Sequence, residues 1–98
     1  MSFIEENVQV LNLVQAMIGA ISSNFRRVTL EVSESGAVHL RFVLAREDLN
    51  DREEIEDISF SFATLQTRDI DIKVDVFVDH RPISDLELAG RVIFARKE

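Results

Sequence analysis

"DREEIEDISFSFATLQ" (Asp51–Gln66) decides the fold, because it reads two ways. As a helix it opens on acids, where the helix dipole favours them, and places Ile55, Ile58, Phe62 and Leu65 on a narrow apolar stripe. As a strand it alternates Ile58, Phe60 and Phe62 with small polar residues across 58–65. The helix reading accounts for more of the segment. Asn50, followed three residues later by Glu53, makes an N-cap pattern that agrees with the i, i+3, i+7 spacing. On that helix Phe60 points away from the stripe and leaves the core.

Working outward, "DIDIKVDVFV" (Asp69–Val78) is a strand with two unlike faces. Ile70, Ile72, Val74, Val76 and Val78 face one way, and Asp71, Lys73, Asp75 and Phe77 face the other. A last strand follows in "RVIFAR" (Arg91–Arg96). Upstream, "RRVTLEVSESGAVHLRFVLAR" (Arg26–Arg46) reads as a hairpin turning at Gly36, with Val28, Leu30, Val32 and Val38, Leu40, Phe42, Leu44 inward. Ser2 and Glu5 fit a capping box for a helix from Phe3 to Ser23, which Asn24 ends in the left-handed conformation. Along it Ile4, Val8, Leu11, Val14, Ile18 and Ile21 recur at helical spacing, and Val10, Leu13, Met17 and Ala20 widen the stripe. So broad an apolar face predicts deep burial, part of it open to cover by another chain. The order α-β-β-α-β-β predicts an α+β fold over residues 1–98 as a single domain. Its expected form is a four-stranded antiparallel sheet of two hairpin-like pairs, with two helices packed on one face.

Composition narrows function by exclusion. The chain has 98 residues and a formal net charge of −7, which disfavours nucleic acid and anionic membranes as partners. Without Cys it has neither disulfides nor thiolate–zinc sites. "MSFIEENVQ" is acidic where a secretory signal would be basic, and Asn12, Gln15 and Gly19 break the longest apolar stretch, Val10–Ile21. The expected compartment is the cytoplasm.

Catalytic and metal chemistry find little to use. "DLNDREEIEDIS" starts like a calcium loop but has Arg52 at position 5, Glu53 where glycine turns the loop and Ser59 where glutamate closes it. His39 sits mid-strand; His80, in "DHRP", has Asp79 beside it and Ser84 nearby, without a nucleophile elbow. No phosphate-cradling glycine loop and no HExxH occur. The sequence therefore predicts a non-enzyme with no cofactor. Arg26, Arg27 and Arg41 form the one basic focus, with no aromatic residues interleaved for nucleic acid.

The charge itself is focused. Between Glu47 and Asp57 seven acids stand against Arg52 alone, so this segment carries −6 of the −7. Acids beside exposed aromatics suit a protein interface, in which the aromatics anchor and the charge steers encounter. The candidate partner-binding residues are Asp51, Glu53, Glu54, Glu56, Asp57 and Phe60, with Asp71, Asp75 and Phe77 as a second group.

Three segments, "NLVQAMIGAISSNFRRVTLEV" (Asn12–Val32), "DREEIEDISFSFATLQ" and "RVIFARKE" (Arg91–Glu98), carry a resemblance in this element order. Together they resemble small bacterial immunity proteins of the contact-dependent growth inhibition and polymorphic-toxin kind. That resemblance implies a cytoplasmic, non-enzymatic binder that blocks a cognate toxin, frequently a basic nuclease, by covering its active site. An alternative from the residues is a homo-oligomeric structural or regulatory domain without a toxin partner. In it the first helix and the exposed Phe residues self-associate, and a homodimer is compatible with either reading. A third reading is a regulatory domain that holds a small ligand between sheet and helices.

Overall fold

The computed structural model describes residues 3–98, with side chains from residue 5 onward. Its elements are α1 (Phe3–Met17), β1 (Phe25–Val32), β2 (Val38–Leu44), α2 (Leu49–Thr64), β3 (Ile72–Val78) and β4 (Arg91–Ala95). A single 3-10 turn, Ile83–Asp85, precedes β4. The ambiguous segment is thus helical, as the capping signals indicated, but its N-cap is Asp48 in place of Asn50. The Asp48 side chain accepts from the Asp51 amide at 3.0 Å.

Helix α1 ends six residues earlier than the periodicity predicts. Gly19 turns the chain with φ 78°, a conformation that costs glycine little, whereas Asn24 has no positive φ. The capping box expected at Ser2 lies outside the described residues.

The sheet runs β3-β2-β1-β4 and is mixed, which corrects the antiparallel expectation. β1 pairs antiparallel with β2, Leu30 opposite Leu40, and with β4 on its other side. β2 and β3 pair parallel, His39 opposite Lys73 and Val43 opposite Phe77. The cause is topological: α2 separates these strands, and a crossover helix returns the chain to the end where β2 began. β3 and β4 therefore occupy opposite edges and form no second hairpin.

One buried cluster joins the elements. Leu13 and Met17 of α1 and Ile55, Ile58 and Phe62 of α2 meet Val28, Leu30, Leu40, Phe42 and Leu44 of the central strands. Phe25 and Phe42 pack edge to face, ring centroids 6.4 Å apart. The side of α1 that enters this core differs from the one expected. Leu11 is 67% and Ile18 78% exposed, and Val8 and Val14 are exposed too. Apolar residues surround most of this helix, so packing selects the inward side. Ala16 and Ala20 flank Leu13 and Met17 against the cluster and let the backbone approach closely.

Candidate functional site

Helices α1 and α2 run antiparallel, as their tethers establish. Near one end the Gln9 and Gln66 amides exchange hydrogen bonds of 2.8 and 2.9 Å. At the other end Ser22 Oγ donates to Asp51 Oδ1 at 2.9 Å. Asn24 Nδ2 donates to Asp51 Oδ2 at 2.9 Å and to the Arg46 carbonyl at 2.8 Å, while the Arg46 amide donates to Asn24 Oδ1. Asp51 is only 6% exposed. Of the acids taken from the sequence as contacts, this one is a structural anchor, and its side chain is turned inward.

The next acids behave differently. Glu53, Glu54, Glu56 and Asp57 are exposed on α2, and none of their carboxylates makes a hydrogen bond or an ion pair among the described residues. Arg52, the one cation of this helix, is held by Glu47, whose carboxyl lies below its usual range because of that bond. Phe60 stands on the same helix at 72% exposure, out of the core as its position in the periodicity predicted. Phe60 thus leaves its ring in solvent on the helix that carries Glu56 and Asp57, four and three residues before it.

Some other acids have found cations, although Glu34, Asp69, Asp71 and Glu87 make no ion pair among the described residues. Glu31 pairs with Arg41 at 2.9 Å and Asp79 with Arg81 at 2.6 Å. Glu98 binds buried Arg26 at 2.7 Å and also Arg96 at 3.0 Å. Both Asp79 and Glu98 are lowered to about 2, chiefly by hydrogen bonds from Arg81 and Arg26 respectively.

The second candidate group is not joined to the first. Asp71, Asp75 and Phe77 alternate with Ile72, Val74 and Val76, which pack against the core cluster beneath α2. They therefore face the opposite side of the sheet. Asp71 is exposed, and Asp75 is bonded to His39 Nε2 at 2.7 Å, with Lys73 Nζ at 3.9 Å. Phe77, 41% exposed, lines a shallow cleft of about 350 Å³ with Asp79, Arg81, Leu86 and Leu88. Sequence reasoning grouped the two aromatics; the strand pairing separates them. It also missed the roles of Asn24 and Arg26, whose polar side chains gave no sign of burial.

Among the described residues no helix is long and apolar enough to cross a membrane. No curated protein matches the sequence. The model of the MafI2 immunity protein family matches residues 7–98, nearly the whole chain. The chain belongs to the MafI2 immunity protein family, and so to the small bacterial immunity proteins of polymorphic-toxin type.

Proposed function

We propose that this protein acts in the cytoplasm to neutralise a cognate basic toxin domain, of the nuclease kind, by laying the acidic face of α2 over its active site. Family membership supplies the toxin partner. The observation that carries the rest is the unpaired state of Glu53, Glu54, Glu56 and Asp57. Nine Arg are available in this chain, several of them spent on other carboxylates, yet these four acids keep their charge turned to solvent. Phe60 adds an exposed aromatic ring to that face. A field of this sign speeds encounter with a cationic surface, up to about 10⁸ M⁻¹s⁻¹ at low salt. The aromatic ring then supplies short-range anchorage. In this reading the protein works by occlusion, and no step of catalysis is asked of it.

Capture tests the proposal. The tagged chain is incubated with lysate of its native host and eluted by a salt gradient, beside a variant with Glu53→Gln, Glu54→Gln, Glu56→Gln and Asp57→Asn. A basic protein identified as a toxin, retained by the native chain and lost from the variant, supports the reading. Equal retention by both removes the acidic face from it.

A further inference from the structure

The outward side of α1 has no role in the fold and lies next to the acidic face. Leu11 is flanked on its side of the helix by Val8 and Val14, three residues before and after it, and Ile18 follows in the turn just past the helix end; all four are exposed. This side is turned away from Leu13 and Met17, the residues that enter the core. On α2 the residues Glu53, Asp57 and Phe60, spaced four and three apart, likewise face away from Ile55, Ile58 and Phe62, whereas Glu56 lies on the flank toward Val74 and Val76 of β3. Because the two helices are tethered antiparallel at both ends, these outward sides form adjacent bands of one surface. One band is mainly aliphatic and without charge, with exposed Gln15 between Leu11 and Ile18; the other is acidic and carries an aromatic ring.

We propose that the two bands form one docking surface, and that its occupant is a basic amphipathic segment of the partner. Such a segment sets its apolar side on Leu11 and Ile18 and its Lys or Arg side on Glu53 and Asp57. This rests on the acidic-face reading above and adds α1 to it. Charge decides the occupant. The acids have no cation of their own, so a second copy of this chain would bring another acidic helix against them. A purely apolar partner would leave four carboxylates unpaired at the rim. A segment with separate basic and apolar sides satisfies both bands at once.

The test uses two synthetic probes added to the isotope-labelled full chain. One is a Lys/Leu peptide patterned as an amphipathic helix; the other has the same composition in scrambled order. The expected result is that the patterned peptide shifts amide resonances of α1 and α2 together, whereas the scrambled peptide shifts those of α2 alone. Leu11→Ser with Ile18→Ser, both at exposed positions, weakens the patterned peptide about tenfold and the scrambled one less than about twofold. Shifts confined to α2, or undiminished binding by this variant, would remove α1 from the site and leave the acidic face standing. Undiminished binding of both peptides after neutralising the four acids would instead overturn the acidic-face reading. A dimer in sedimentation, with α1 resonances that move on dilution, would make a second copy the occupant and overturn the proposal.

Discussion

Asp51 illustrates how one position changes the meaning of a charged segment. It belongs to the same acidic run as Glu53, yet it is buried and accepts from Ser22 and Asn24, fastening the turn after α1 to the start of α2. Removing it leaves the buried Asn24 amide, and the exposed Ser22 hydroxyl, without this acceptor. Asp51→Ala is expected to cost about 1–3 kcal/mol in urea unfolding. At equal folded concentration its partner binding should stay close to that of the native chain, which a pull-down of folded protein checks. Gly90 makes a comparable point about the backbone. Its φ is 95°, and a methyl group there would stand 2.7 Å from the Leu30 carbonyl oxygen and 3.0 Å from the carbonyl carbon. Neither atom belongs to a flexible side chain. Gly90→Ala should therefore lose more than about 2 kcal/mol, measured by the same unfolding curve, through strain and displacement of β4 from β1.

At the scale of elements, what the sequence disclosed depended on whether local chemistry or long-range pairing set the outcome. Alternation at Val28, Leu30, Leu40 and Phe42 was enough to read the first hairpin, because burial and turn agree locally at Gly36. The type of α2 was legible from its acids and its stripe. The direction of β3 was not legible from its own residues. Its alternation is the same in a parallel or an antiparallel edge, and only the intervening helix decides. Helix α1 was misread in facing because apolar residues surround it, so no pattern within it says which side meets the sheet. The candidate site divides along the same line. Glu53 to Phe60 was legible because one helix carries it all, whereas the aliphatic band of α1 is defined only by what the sheet leaves uncovered. This facing makes a direct prediction. Leu13→Ala should destabilise by about 2–5 kcal/mol, while Leu11→Ala, at 67% exposure, should stay within about 0.5 kcal/mol. Thermal unfolding of the two variants distinguishes the observed facing from its reverse.

Across the whole molecule, Glu98 is held by pairing while the acidic face of α2 is left open. Buried Arg26 of β1 is held by both carboxylate oxygens of Glu98, at 2.7 and 2.8 Å, and donates to the Asp79 carbonyl. That pairing makes stability depend on acid. The Glu98 carboxyl lies at about 2 in the folded protein, below its ordinary value of 4.5. A group depressed in this way contributes stability above its unfolded value and loses the contribution as pH falls through the folded one. The native chain should thus be more stable than Glu98→Gln at neutral pH. The gap should narrow from about pH 4.5 down to about pH 2, as denaturation midpoints across that range would record. The proposed toxin contact rests on the four unpaired acids of α2. Its most direct test is the affinity of the purified cognate toxin domain for the native chain and for the variant neutralised at Glu53, Glu54, Glu56 and Asp57. Both are measured as salt rises from about 0.01 M to about 0.1 M, over which screening shortens from about 30 Å to about 10 Å. The native chain should bind about tenfold or more tightly at low salt, and this advantage should shrink as salt rises. Equal affinities with equal salt dependence would contradict the proposed contact.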